Sequence, residues 1–235
     1  MRNVNGIAIR DTLAEVVAPP VAVVAIDVQN DFCHPEGHFA RHGKDIGSAL
    51  AALPALVAFV EAAQARGIPC VFVKQRSEPE GRSDSPAWLR LKTRDGKSPD
   101  YTLPDSWGAA LVDGLVPRPQ DVVVEKYRPD AFLNTPLDAL LRARGLESLI
   151  FVGTTTEGCL ESSVRSASYR DYYVSVVEEL VFSPNAVLHE GSMRLMRHRY
   201  PVANAAAVLA AWGSTSSVAP TRGALAEPAT IVSSL

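Results

Sequence analysis

Short apolar runs that end at polar or charged residues constrain the fold of this chain more than any other feature. The first run, Val21–Ile26, holds six apolar residues, four of them β-branched, and is followed directly by Asp27. Runs this short and this apolar on both faces are typical of buried parallel strands. Further runs of the same kind occupy residues 69–73, 122–124, 148–152 and 173–177.

Helix-forming segments separate these runs. Residues 46–66 are alanine-rich, with apolar residues spaced three and four apart, and Gly67 supplies a stop. Pro136 opens a second helical segment that ends at Gly145, and residues 185–198 predict a third. The alternation predicts an α/β fold, with a doubly wound (Rossmann-like), mostly parallel sheet and helices on both faces.

Length and composition favour one folded domain. A chain of 235 residues with 47% hydrophobic content can bury one substantial core, which we assign to residues 1–212. Residues 202–212 are compatible with a final strand or helix. Residues 213–235 are rich in Ser, Ala, Pro and Thr without periodicity, so they predict a low-complexity tail that is disordered or wraps a neighbouring subunit. The polar, proline-containing residues 75–104 predict a long functional loop.

Charge and cysteine usage exclude several classes of protein. A net charge of −3 without a basic run argues against a nucleic-acid partner. No signal peptide or stretch of about twenty apolar residues is present, so we expect a soluble, cytoplasmic protein without a membrane partner. The three cysteines, Cys33, Cys70 and Cys159, form no disulfide framework or paired metal motif, which fits a reducing compartment.

Three chemically capable residues, Asp27, Lys126 and Cys159, follow or end predicted strands. A doubly wound sheet brings the carboxyl ends of its strands to one edge, so we expect these side chains to meet. Cys159 lies at a strand-to-helix turn, where the helix N-terminus and the Lys126 ammonium would lower the pKa of its thiol. Asp27 would then take the thiol proton, protonate a departing amine and activate water. The backbone N–H groups of Thr155 and Cys159 are the candidate oxyanion donors.

Each of these residues also has a structural interpretation. An isolated cysteine after a strand is more often a small buried hydrophobe than a nucleophile. Asp27 would be explained equally well by a capped turn, and Lys126 by a solvated lysine. Spacing alone does not choose between these interpretations and catalysis.

The local sequences around the three residues resemble the isochorismatase-like cysteine hydrolases. They read D-V-Q-N-D-F at residues 27–32, E-K-Y-R-P-D-A-F-L-N-T-P-L-D at 125–138 and V-G-T-T-T-E-G-C-L-E-S-S-V-R at 152–165. The resemblance covers residues 21–181 and implies an Asp27–Lys126–Cys159 triad. It also implies a cis bond between Thr154 and Thr155, with the Thr155 N–H completing the oxyanion hole.

Within that superfamily the chain is most similar to the ureidoacrylate amidohydrolase, biuret hydrolase and N-carbamoyl amidase branch. The segment D-S-W-G-A-A-L-V-D-G-L-V-P at residues 105–117 carries part of this likeness. True isochorismatases lack the nucleophilic cysteine, so the presence of Cys159 implies hydrolysis of a C–N bond in a small ureido or carbamoyl compound. Ureidoacrylate-, biuret- and triuret-like substrates all remain open. Alternatives are a nicotinamidase-type amidase and a catalytically idle binding or assembly module.

The resemblance and the positions of residues along the chain suggest the contacts to metal and substrate. Nicotinamidases of this superfamily carry a metal-binding histidine after the second strand, where this chain reads Val73-Lys74-Gln75-Arg76-Ser77, so we expect no metal and no cofactor. Cys33-His34 lack partners at metal-ligand spacing. The candidate substrate-binding residues are Phe32, Gln75, Arg76 and Phe132, although a solvated loop or ordinary core explains them equally well. The resemblance also implies a homo-oligomer, a dimer or a tetramer.

Overall fold

The apolar run Val21–Ile26 forms the middle strand of a parallel sheet. The computed structural model describes residues 1–94, 96, 98–214 and 230–232, and over these residues the sheet has seven strands in the order β8-β7-β6-β3-β4-β5-β9. The two remaining strands form a separate antiparallel hairpin. In chain order the strands are β1 (Arg2–Val4), β2 (Ile7–Ile9), β3 (Val21–Ile26), β4 (Cys70–Gln75), β5 (Val122–Lys126), β6 (Ser148–Thr154), β7 (Tyr173–Phe182), β8 (Val202–Ala203) and β9 (Thr230–Val232).

Helices cover both faces of the sheet, as the strand–helix alternation predicts. One face packs against α1, α4 and α9, and the other packs against α6, α7 and α8. The helices are α1 (Leu13–Val16), α2 (Asn30–Cys33), α3 (His38–Arg41), α4 (Gly47–Ala65), α5 (Pro86–Lys92), α6 (Leu137–Ala143), α7 (Glu161–Ser168), α8 (Ala186–Arg199) and α9 (Ala205–Ser214). The predicted doubly wound α/β fold is therefore confirmed.

Strand β3 shows why the sequence builds two cores. Successive side chains of a strand point to opposite faces of the sheet. Val21, Val23 and Ala25 accordingly pack with α4, whereas Val24 and Ile26 pack with α6, α7 and α8. Because both faces are covered, the whole strand is apolar.

Helix α4 is long and apolar enough to cross a membrane by length and composition alone. Its residues Leu56, Phe59 and Ala63 are fully buried in the core that also contains one face of β3. This packing accounts for its apolar composition within the folded domain.

Several element boundaries differ from the sequence predictions. β7 continues past residue 177 to Phe182, because its pairing with β6 shifts register around Glu178 and Glu179 and then resumes. Residues 202–212 contain both a strand and a helix, β8 and α9. The predicted loop 75–104 contains α5, whose start is capped by the Ser85 side chain with Pro86 at the first turn.

The predicted tail is described only in part. Residues 215–229 and 233–235 lie outside the described residues. α9 continues to Ser214, and β9 pairs in parallel with β5, with Thr230 opposite Val122.

Candidate active site

Four neighbouring strands deliver polar side chains to the same edge of the sheet. Asp27 follows β3, Gln75 ends β4, Lys126 ends β5, and Cys159 lies five residues beyond β6. Asp27, Gln75 and Cys159 line a cavity of about 440 Å³. The structure thus brings together the three residues that the sequence singled out.

Asp27 and Lys126 form a buried ion pair. The Lys126 Nζ lies 2.8 Å from Asp27 Oδ2, and the side chains are 0% and 2% exposed respectively. Asp27 adopts a left-handed backbone conformation with φ 53°, which is uncommon for a residue other than glycine. Lys126 is therefore not a solvated lysine, and Asp27 does more than end a strand.

Gln75 holds the other side of the Lys126 ammonium. Its Oε1 accepts a hydrogen bond from Lys126 Nζ at 2.8 Å. The backbone of Gln75 is fixed by the fully buried Gln29, whose Nε2 donates to the Gln75 carbonyl at 3.0 Å and whose Oε1 accepts from the Gln75 N–H at 2.7 Å. Gln75 thus contacts Lys126 in addition to lining the cavity.

Cys159 lies in a single π-helical turn, Thr156–Leu160, that joins β6 to α7. Two glycines make this turn possible. At Gly153 φ is +111° and an added Cβ would lie 2.2 Å from the Ile26 carbonyl oxygen, so β6 and β3 approach too closely for a side chain. At Gly158 an added Cβ would lie 2.6 Å from Thr155 Oγ1.

The prediction that the pKa of the Cys159 thiol is lowered is wrong. Burial, and next the Asp27 carboxylate, raise the pKa of Cys159 to about 12, and Lys126 opposes them only in part. Burial likewise raises the pKa of Asp27 despite the adjacent Lys126. Burial opposes the ammonium of Lys126, but Asp27 and Cys159 raise its pKa above the ordinary value. Burial and Asp27 therefore disfavour the thiolate of Cys159, and Asp27 and Cys159 favour the ammonium of Lys126.

The turn before Cys159 has the cis bond that the resemblance implies. The peptide bond between Thr154 and Thr155 is cis. Thr155 and Cys159, whose N–H groups are the candidate oxyanion donors, both line the cavity. The N–H groups of Gly158 and Leu160 donate instead to the Thr155 carbonyl, at 3.0 Å and 3.2 Å.

Two of the predicted substrate-binding residues lie away from the cavity. The Arg76 guanidinium pairs with Glu125 at 2.9 Å and with Glu78 at 3.0 Å, because Arg76 follows Gln75 and faces the opposite way. Phe132 is buried in the core on the face of α6 and α7, with the Arg170 guanidinium 5.0 Å from its ring centroid. Neither residue lines the cavity that contains Cys159.

Phe32 does line the cavity, and it packs against two residues that the sequence did not single out. Its ring lies 4.8 Å from that of Phe39 and 5.8 Å from that of Tyr101, measured between centroids. The buried Asp31 carboxylate ties these segments together, since it accepts from the N–H of His38 at 3.1 Å and of Thr102 at 2.6 Å. The sequence signals for this wall are Phe32 itself and the predicted loop 75–104, which contains Tyr101.

The Cys33-His34 pair is structural in its contacts. Cys33 is fully buried in the core, and burial raises the pKa of its thiol. The His34 ring packs edge-on against Trp107 at 4.8 Å.

His38, which lines the cavity, has a pKa lowered to about 4 by burial and by His42. Over the described part of the chain, no three His, Cys, Asp or Glu side chains are grouped to hold a metal ion.

Comparison with known proteins identifies the family of this chain. Residues 21–209 match the isochorismatase domain. The chain is 33% identical over 216 residues to the ureidoacrylate amidohydrolase RutB of Methylobacterium radiotolerans, covering 88% of this chain and 80% of that protein. It is 35% identical over 175 residues to the RutB of Azorhizobium caulinodans, covering 70% and 77%.

Solved structures share the fold. An isochorismatase family protein from Desulfovibrio vulgaris superposes with a TM-score of 0.69 at 27% identity, covering 80% of this chain and 95% of the other. N-carbamoylsarcosine amidase from Thermoplasma acidophilum superposes with a TM-score of 0.62 at 23% identity, covering 79% and 96%. The chain therefore belongs to the isochorismatase family of hydrolases.

Proposed function

We propose that this chain is a cysteine amidohydrolase that cleaves a C–N bond of a small ureido or carbamoyl compound through a covalent intermediate on Cys159. The observation that carries the proposal is the buried Asp27–Lys126 pair, whose Asp27 lines the same cavity as Cys159. A buried ion pair is costly unless it is well hydrogen-bonded. The pair lies beside a thiol at the carboxyl edge of the sheet, where α/β folds bind ligands, and this position favours a catalytic role for the pair.

In the first half-reaction, Cys159 Sγ attacks the substrate carbonyl carbon while Asp27 takes the thiol proton. Asp27 suits this role because burial raises the pKa of its carboxyl group, so that the carboxylic acid form is accessible. The tetrahedral oxyanion accepts hydrogen bonds from the N–H groups of Thr155 and Cys159. Asp27 then gives its proton to the leaving nitrogen, the C–N bond breaks, and ammonia or an amine departs.

The second half-reaction regenerates the thiol. Asp27 removes a proton from water, the resulting hydroxide attacks the carbon bound to Sγ, and the C–S bond breaks. The leaving thiolate takes the proton back from Asp27, and the acid or carbamate product is released. Lys126 keeps its proton throughout and compensates the negative charge that moves between Asp27 and Cys159.

The substrate class is supported by the relatives and by the size of the cavity. The two curated relatives are named ureidoacrylate amidohydrolases, which act on a small ureido compound. A cavity of about 440 Å³ is at the small end of ligand sites. Both points favour a compact ureido or carbamoyl substrate.

The test is an ammonia-release screen across biuret, triuret, ureidoacrylate, carbamoyl amino acids and nicotinamide. Cys159→Ala should abolish turnover of any substrate found, and mass spectrometry of the quenched wild-type protein should show an adduct on the peptide that contains Cys159. Cys70→Ala is the matched control, because Cys70 is a buried cysteine that does not line the cavity. Turnover by Cys159→Ala at the parental rate would refute the proposal.

Two expectations from the sequence stay predictions. A homo-oligomer, a dimer or a tetramer, is implied by the family resemblance, and light scattering measures it directly. A cytoplasmic location is expected from the composition, and cell fractionation tests it.

A further inference from the structure

Two residues of helix α5 whose side chains carry hydrogen-bond donors line the cavity. Trp88 and Lys92 are four residues apart, so they lie one above the other on the same face of the helix. Both line the cavity that contains Cys159. This helix lies in the loop that the sequence predicted to be functional, and the proposed mechanism gives it no role.

The Lys92 ammonium has one N–H more than its acceptors use. An ammonium carries three N–H donors. Lys92 Nζ contacts Asp84 Oδ2 at 2.8 Å and Ser77 Oγ at 3.1 Å, and it lies 4.5 Å from the centroid of the Tyr101 ring. The third N–H has no oxygen acceptor among the residues that the structure describes.

The charge around Lys92 is also unbalanced. Asp84, 1% exposed, is shared between Lys92 and Arg128, whose Nη1 lies 3.3 Å from the other carboxylate oxygen. Two cations therefore face one carboxylate, and the Lys92 side chain is only 3% exposed. Arg128 is 24% exposed and better screened, so the buried Lys92 ammonium, which shares its only carboxylate partner among the described residues, is the charge that favours an anion in the adjoining space.

Trp88 supplies an independent observation. Its indole Nε1 is buried and donates to no acceptor in the described part of the chain. Most buried polar groups have a partner, so an orphaned donor calls for an explanation. A ligand oxygen bound in the cavity, reached by a small movement of the indole, is such a partner.

We propose that Lys92 and Trp88 form a carboxylate subsite, so that the preferred substrate is a ureido or carbamoyl compound that carries a carboxylate group. One carboxylate oxygen accepts from the third N–H of Lys92, and the other accepts from Trp88 Nε1. Trp88, Lys92, Tyr101 and Cys159 line the same cavity, so a ureido acid bound to α5 through its carboxylate shares that cavity with Sγ. This inference rests on the proposed function and selects ureido acids over neutral compounds such as biuret.

The experiment compares 3-ureidopropionate with 3-ureidopropionamide, which replaces the carboxylate by a neutral amide of the same shape. Hydrolysis gives kcat/KM for each, and calorimetry on Cys159→Ala gives the affinity without turnover. The wild-type protein should prefer the carboxylate, and Lys92→Met should reduce that preference about 10- to 100-fold through KM, as expected for a lost charge-assisted hydrogen bond. Trp88→Phe should reduce it several-fold.

Arg90→Met is the matched control, because Arg90 is an exposed cation on the same helix that does not line the cavity. It should leave the preference unchanged. Lys92→Met keeps Asp84 paired with Arg128, and Lys92→Gln serves as a second variant if the first does not fold.

The outcomes separate this inference from the proposed function. An equal loss for both compounds in Lys92→Met would give Lys92 a structural role only, and equal use or no use of the two compounds by the wild-type protein would also overturn the subsite. Neither result tests whether Cys159 is the nucleophile. The proposed function falls only if Cys159→Ala retains turnover of a substrate found in the screen.

Discussion

Replacing Gln75 by methionine tests how the Lys126 ammonium is held. Lys126 is fully buried, and its Nζ has two short contacts, with Asp27 Oδ2 and Gln75 Oε1, both at 2.8 Å. Methionine keeps the length of glutamine but lacks the oxygen. Because a hydrogen bond to a charged group contributes about 1.5–3 kcal/mol, we expect the free energy of unfolding to fall by about 2 kcal/mol.

The same substitution should change the pH dependence of turnover. The pKa of Lys126 is raised by Asp27 and Cys159 against the effect of burial. Without the Gln75 oxygen, burial weighs more heavily, so the pKa of Lys126 falls and the alkaline limb of kcat/KM moves to lower pH. A loss of about 1.4–2.8 kcal/mol in transition-state stabilisation corresponds to a 10- to 100-fold lower kcat/KM.

Urea denaturation at pH 7 and the pH profile of kcat/KM measure both effects. Gln64→Met is the control, since Gln64 is also buried and its Nε2 donates to Asp121 Oδ2 at 2.6 Å, but it does not line the cavity. It should lose stability and keep the parental pH profile. The reasoning is refuted if Gln75→Met retains the parental stability and profile, or if Gln64→Met shifts the profile equally.

Two further substitutions test the nucleophile and its turn. We expect Asp27→Asn to abolish turnover. The same substitution should speed alkylation of Cys159 by iodoacetamide at pH 7, because Asp27 raises the pKa of that thiol. Slower alkylation would contradict this direction of the pKa shift. We expect Gly153→Ala to lower the free energy of unfolding by more than about 2 kcal/mol, since its Cβ would meet the Ile26 carbonyl. Gly145→Ala, with φ +64° and nothing within 4 Å, should cost about 1 kcal/mol, and equal losses in denaturation would refute the clash.

The sequence predicts the fold and the meeting of Asp27, Lys126 and Cys159 for the same reason. Short apolar runs indicate buried parallel strands, and the carboxyl ends of such strands share one edge of the sheet. Residues that follow those runs therefore converge without any knowledge of strand order. The order itself, with β3 between β4 and β6, is not visible in the runs.

Side-chain direction at the strand ends could not be predicted in the same way. Gln75 and Arg76 are adjacent, so one faces Lys126 while the other faces Glu125. An uncertainty of one residue in the end of β4 exchanges their roles, and sequence patterns do not fix strand ends that closely. The sequence analysis predicts a loop over residues 75–104 and so omits helix α5, although Ser85 followed by Pro86 is a typical helix start.

The thiol pKa shows most clearly what a linear sequence omits. Neighbouring charge is visible in the motifs, which is why Lys126 predicts a lowered pKa for Cys159. Burial is not visible there, and it acts on Asp27 and Cys159 in the same direction, raising both pKa values. Because both anions are disfavoured in the same pocket, the proposed mechanism moves the proton of Cys159 to Asp27 as the attacked carbonyl takes up the negative charge. In the proposed mechanism, bound substrate rather than a preformed thiolate therefore makes Cys159 nucleophilic.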